Sequence, residues 1–292
     1  MARTAGYGAE QLLVAREEMR YDFGGARWRL PRDREALAWI FSQFLYGEVT
    51  GIQCGHWLYR APDLEAAQFF AQQSVEEMAH VQQFVRLLDR LGERPRPAHP
   101  LVRFLSTSFM GASFPEHTCL EMAAGEGFVL MVFYALIDTI EDDAIRRVLE
   151  AAVVQEERHV SFGEQRTARA IAERPELAPQ LLGLSLVALA SVRQLARRVP
   201  RFLPSEHEVM RHLPAFLEKT CAVSELRLRR MGVLREPLAE MSWIRKAGLA
   251  GWGSFRHAVR TLSPSGKRLT DTYLTDPQIQ RPVPPTGVFP AS

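Results

Sequence analysis

The chain is poor in the features that would assign it quickly to a simple class. Its 292 residues include only three cysteines, Cys54, Cys119 and Cys221, far apart and without a C-x-x-C pair. That excludes a disulfide framework and a thiolate zinc site, and it fits a reducing cytosol. Charge of one sign is also lacking: 36 basic against 34 acidic residues leave +2, so DNA is not expected as a partner. The longest apolar stretch, Leu181 to Val192, is broken by Gly183, Ser185 and Ser191. It falls short of the ~20 residues a bilayer span needs, so no membrane span is expected. Met1 to Tyr21 mixes acidic and basic residues with no apolar signal core, and the expectation is a soluble, cytoplasmic protein.

What is present is helical periodicity, over a composition that is 47% hydrophobic and ample for a large core. The pattern predicts an all-α fold. Asp33 stands as N-cap to a helix from Arg34 to Arg60, and Ala61-Pro62-Asp63 breaks it before a second from Leu64 to Leu91. Gly92 and the Pro-rich stretch to Pro100 end that helix, and Leu101 to Ser113 reads as a partly helical crossover. A third helix covers Pro115 to Ile140 and, after the turn at Glu141-Asp142-Asp143, a fourth covers Ala144 to Glu173. Three more are expected over Glu176 to Val199, Glu206 to Gly232 and Pro237 to Leu262. The resulting division is an N-terminal extension (1–32), a four-helix bundle with one long crossover (33–173), additional C-terminal helices packed on it (174–262) and a Pro-rich tail (263–292).

One constellation occurs twice. Glu48 is followed by Glu77-Met78-Ala79-His80, and Glu126 by Glu156-Glu157-Arg158-His159. The lone Glu precedes the Glu-x-x-His by 77 − 48 = 29 residues in one half and 156 − 126 = 30 in the other. Glu and His at i and i+3 share a helix face, so each pair can offer an oxygen and a nitrogen to one ion. Glu48 lies 14 residues before Pro62 and Glu77 lies 15 after it. At ~1.5 Å of rise per residue, the two carboxylates of that hairpin fall within ~1–2 Å of the same height. Glu126 and Glu156 straddle the turn near Glu141 in the same way. Each candidate is flanked one turn away by Phe, Leu, Met, Ile or Val, where a bare carboxylate costs several kcal/mol unless paired or bound to metal. Four carboxylates and two imidazoles suit two divalent ions, and oxygen and nitrogen ligands without thiolate favour iron or manganese.

On these motifs, residues 34–173 resemble the ferritin-like di-iron carboxylate superfamily. The resemblance implies Glu48 and Glu126 as terminal or shifting ligands, Glu77 and Glu156 as bridges, and His80 and His159 as one nitrogen ligand per ion. It implies two Fe ions, with Mn or mixed Mn/Fe as alternatives. The additional helices after Glu173 and the lack of a rubredoxin-like C-x-x-C module point within that superfamily to an oxygenase or oxidase. Its partners would be O2, an apolar or aromatic organic substrate and an external electron donor; a homodimer is left open. The alternatives are a ferroxidase or peroxide-scavenging protein and a dimanganese catalase, neither with an organic substrate.

Several residues near the motif carry two readings. Gly47, Gly51, Gly55, Gly125 and Gly127 give either room for ligands or close helix packing. Tyr46 and Tyr134 read as core tyrosines or redox-active neighbours. Glu76, Glu121 and Glu157 lie off the ligand face, solvated or supporting it, while His56 and His117 read as structural. The arginine groups Arg197, Arg198, Arg201 and Arg227, Arg229, Arg230 read as solvated helix faces or a docking surface for an acidic carrier, a phosphate or tRNA.

Overall fold

The computed structural model describes residues 12–108, 111–197, 203 and 206–262. Those residues are all-α, and among them the single β-type pairing is an isolated bridge between Trp28 and Ile140. Among the described residues the longer helical elements are α1 Arg34–Gly51, α2 Leu64–Arg90, α3 Pro100–Ser108, α4 Phe114–Thr139, α5 Asp143–Glu173, α6 Ala178–Ala196, α7 Leu213–Arg230 and α8 Trp243–Leu262. The Pro-rich tail from Ser263, with Arg198 and Arg201, lies outside the described residues.

Local chemistry explains most boundaries. Asp63 caps α2 by accepting from Ala66 N–H at 2.8 Å, and Asp142 caps α5 by accepting from Ala144 and Ile145. The end of α2 is a Schellman cap: Glu93 N–H reaches Leu88 O and Gly92 N–H reaches Asp89 O. Asp33 occupies the expected position before α1 but does not cap it. Its carboxylate instead accepts from Arg29 N–H at 2.7 Å and binds the Arg32 guanidinium.

Two predicted helices are not uniform. The first stops being α-helical at Gly51 and tightens into a 3-10 stretch, Ile52–Leu58. Glycine is a weak helix former, and tightening of the last turns is a common way to end a helix. The third opens after His117 into a π-helical run, Thr118–Glu126, before returning to α-helix at Gly127. The last two helices are also shorter than the periodicity implies, with Met210–His212 forming a 3-10 turn before α7 and α8 starting at Trp243.

The main apolar core is built from inward faces of α1, α2, α4 and α5, including Phe41, Phe84, Phe133 and Leu149. Phe44, Phe84 and Phe133 pack as an aromatic group, with Phe44 stacked on Phe84 at 5.5 Å. Residues 12–33 belong to this core. Val14, Met19, Phe23 and Trp28 are buried in it, and Trp28 N–H donates to Thr139 O at 2.8 Å. A second core joins α6 and α7, through Leu181 and Leu228 among others. The stretches Phe114–Thr139 and Pro175–Gln194 are long and apolar enough to cross a membrane by length and composition. The second runs past both ends of the Leu181 to Val192 stretch. Half of each is buried within the fold.

Candidate metal centre

The four helices that make the main core also deliver the six acidic and histidine residues to one place. α1 contributes Glu48 and α2 contributes Glu77 and His80. The last residue of the π-helical run is Glu126, and α5 contributes Glu156 and His159. All are buried except Glu126, whose side chain keeps slight exposure.

Their donor atoms form two groups. Glu48, Glu77, His80 and Glu156 each present an atom within 4.8 Å of the others, and so do Glu77, Glu126 and His159. Glu77 is common to both. His80 Nδ1 lies 3.2 Å from Glu48 and 3.1 Å from Glu156 Oε1, while His159 Nδ1 lies 3.5 Å from Glu77 and 3.7 Å from Glu156 Oε2. The two oxygens of Glu156 therefore face different histidines.

The outer nitrogens of both rings are held from behind. His80 Nε2 donates to Gln155 Oε1 at 2.7 Å. His159 Nε2 donates to Glu76 Oε2 at 2.8 Å, and Glu76 is itself bound by Arg158 and by Gln72 Nε2. Fixing Nε2–H in this way turns Nδ1 of each ring toward the carboxylates, the arrangement a metal-binding imidazole needs. Gln73 Nε2 donates to Glu126 Oε1 at 2.8 Å, and Glu126 Oε2 and His159 Nδ1 are buried without a hydrogen-bond partner among the described residues.

The electrostatics show what this many acids cost. Burial, and then the charges of Glu48, Glu156 and Glu126, push the Glu77 carboxyl well above its usual range; burial does the same to Glu126. Burial disfavours a charged His80, but Glu156 and Glu48 outweigh it and raise the ring to about 11. His159 is raised to about 9 by Glu156 and Glu76 against the same opposition. For Glu156 burial pushes upward, and the two histidines win and hold it at about 2. Without a cation the cluster thus gathers protons to offset its carboxylates. Divalent ions would replace those protons and give the orphaned Nδ1 and Oε2 a partner, so the donor set fits a pair of metal ions.

Surrounding residues resolve several alternative readings. Gly51 makes room for the Glu77 carboxylate: a Cβ there would stand 2.5 Å from Glu77 Oε2. A Cβ on Gly47 would meet nothing within 4 Å, so that position shows no such constraint. Glu76 is buried against His159. Tyr134 is buried, and its hydroxyl donates to Glu157, which also pairs with Arg16. His117 stacks on Trp57 at 4.7 Å and its Nδ1 lies 2.7 Å from Glu121. Neither His117, His56 nor Glu121 belongs to either donor group.

Arg227 is the clear departure from expectation. Rather than lying on a solvated face with Arg229 and Arg230, it is 1% exposed and its Nε donates to buried Glu164 at 2.7 Å. Its spacing from buried Thr220, Val223 and Ser224 places it on the inward face of α7, but the partner, Glu164, is 63 residues away. Gln155 and Arg158, each adjoining a residue of the motif, support the histidines although the ligand spacing gives them no role.

A cavity of about 370 Å³ opens on Glu48, Glu77, Glu126 and Glu156. Its walls are overwhelmingly apolar and come from α1, α3, α4, α6 and α7, with Phe44, Leu105, Val129, Leu189 and Phe216 among the residues that line it. The size falls within the ~300–1,000 Å³ of small-molecule sites. No family model, curated protein or solved structure matches this chain.

Proposed function

We propose that the chain is a non-haem di-iron oxygenase or oxidase, built on a ferritin-like four-helix bundle of α1, α2, α4 and α5 with α3 in the long crossover. Manganese is the alternative metal. The observation that carries this reading is the pair of donor groups sharing Glu77 at the end of an apolar cavity. In this reading Glu48, Glu77, His80, Glu126, Glu156 and His159 would hold the pair of ions, with Glu77 common to both donor groups.

Such a pair, when bound and kept reduced by an external electron donor, supplies activation of O2 for oxidising an organic molecule. The chain's own residues set the conditions. Glu76 and Gln155 keep both imidazoles oriented, so little rearrangement is needed when the ions enter. Gly51 leaves the Glu77 carboxylate space. The apolar cavity walls exclude bulk water and favour an apolar or aromatic substrate. A ferroxidase would have no use for this cavity, which is why an organic substrate is preferred.

Elemental analysis of the purified full chain should find about two iron or manganese ions per chain. Glu77→Ala should reduce this to about one or fewer, whereas Glu121→Ala should leave it unchanged. Full loading of Glu77→Ala would remove the centre from consideration. Reductant-dependent O2 consumption that rises with an apolar substrate would then separate an oxygenase from a ferroxidase.

A further inference from the structure

The cavity beside the cluster contains a cation with unused hydrogen-bonding capacity. Thr220, Ser224 and Arg227, at i, i+4 and i+7 on α7, are buried and line it together. The Thr220 hydroxyl donates back to Phe216 O and the Ser224 hydroxyl to Thr220 O, so neither has a proton left to offer. Arg227 does. Its Nε is taken by Glu164 and its Nη2 rests on Met19 Sδ at 3.2 Å, but Nη1 has no partner among the described residues. The guanidinium lies against Gly127, next in sequence to Glu126, and a Cβ on Gly127 would collide with Nη1.

A buried N–H without an acceptor is costly, and a charged one more so. The kind of acceptor follows from the charges around it. Glu164 already matches the Arg227 charge and also accepts from Leu13 N–H at 2.5 Å. A second anion in the cavity would add unmatched negative charge close to the carboxylates of the metal cluster, with apolar walls to resist it. A neutral oxygen completes the hydrogen bond without that penalty.

We infer that the cavity binds an apolar molecule bearing a neutral carbonyl or hydroxyl oxygen, which accepts from Arg227 Nη1. This deepens the proposed function and rests on it for the claim that the bound molecule is the substrate. The binding itself does not depend on metal. Arg227 thereby acts as an anchor that fixes one end of the molecule beside Glu126, with the remainder lying along the apolar wall.

Three bicyclic probes of nearly equal size test this on the full chain: 2-acetylnaphthalene, 2-ethylnaphthalene and 2-naphthoate, with affinity measured by fluorescence in metal-free and Fe(II)-loaded protein. The ketone should bind roughly ten- to hundredfold more tightly than the hydrocarbon, the range expected for a hydrogen bond from a charged donor. In Arg227→Lys, which retains a cation for Glu164 but has no second nitrogen to offer, that preference should disappear while the hydrocarbon binds as before. Should Arg227→Lys fail to fold, Gly127→Ala, which places a methyl group where Nη1 lies, should give the same loss. Equal binding of ketone and hydrocarbon by the unaltered protein would overturn the anchor, and preference for naphthoate would overturn its neutral character. Ketone preference in a protein that loads no metal would sink the oxygenase reading and leave the anchor standing; metal loading without ketone preference would do the reverse.

Discussion

The two halves of the cluster repeat one residue pattern in different surroundings. Around His80 four ligand-type residues converge, all deeply buried, and the ring nitrogen facing them already touches two carboxylates. The group that contains His159 has three members, with Glu156 Oε2 standing 3.7 Å from its Nδ1 outside that group; Glu126 retains some exposure, and Nδ1 has no hydrogen-bond partner among the described residues. The backing differs too: a neutral amide, Gln155, stands behind His80, but an ionised Glu76 braced by Arg158 stands behind His159. The sequence repeat therefore makes a pair of unequal sites. One group is buried throughout; the other has one member fewer and a part-exposed carboxylate, Glu126.

The largest test of this inequality is loss of a ligand on each side. Glu126→Ala should abolish the second step of an anaerobic Fe(II) titration and leave the first, because Glu126 belongs only to the His159 group. His80→Ala should instead eliminate the tighter step. Identical titrations for the two variants would mean that the halves are equivalent after all. A smaller effect is expected behind the rings. Glu76→Ala should weaken the His159 site by about 10- to 100-fold, as removal of such a supporting carboxylate does. Gln155→Ala should cost less, since a neutral acceptor does less to raise the basicity of its histidine.

Smaller still is the effect of pH on metal-free protein, measured as melting temperature. His80, His159, Glu77 and Glu126 are all raised in the fold. Their contribution is complete below their unfolded values and is lost as pH rises, through about 9 for His159 and about 11 for His80. Glu156 and Glu76 are both held at about 2; their contribution stands above about pH 4.5 and is lost as pH falls through about 2. The cluster should thus favour metal-free protein most near about pH 4.5; above it the contributions of Glu77 and Glu126 begin to fall, and above about pH 6.5 those of the two histidines follow. Divalent metal competes with those same protons, so its stabilising effect should grow toward higher pH. A stabilisation by metal that is flat from pH 5 to 8 would contradict this proton accounting.

Much of this arrangement was legible in the sequence because it depends on regular geometry. Burial of Phe70, Gln73, Glu77, His80, Phe84 and Leu87 follows the stripe that α-helical spacing predicts for α2. Equal arms about Pro62 and about Glu141 place the acidic residues at one level. What could not be read depends on partners distant in sequence or on small changes in hydrogen-bond register. The Arg227–Glu164 pair joins positions 63 residues apart, and an Arg among other arginines on a helix resembles a solvated face. Glu76 looks like a neighbour on the wrong side of α2 until α5 brings His159 against it. The switch from α to π hydrogen bonding over Thr118–Glu126 leaves the apolar pattern nearly intact, so periodicity alone does not reveal it.

That widened stretch has a consequence for the open half of the cluster. Glu126 sits where one ladder of backbone bonds hands over to another, with Gly125 and Gly127 on either side. Sliding this junction by a single residue would swing a side chain around the helix axis by about 100° while leaving the neighbouring helices in place. Such a slide would re-aim the one member of the cluster that is not fully enclosed without repacking the rest.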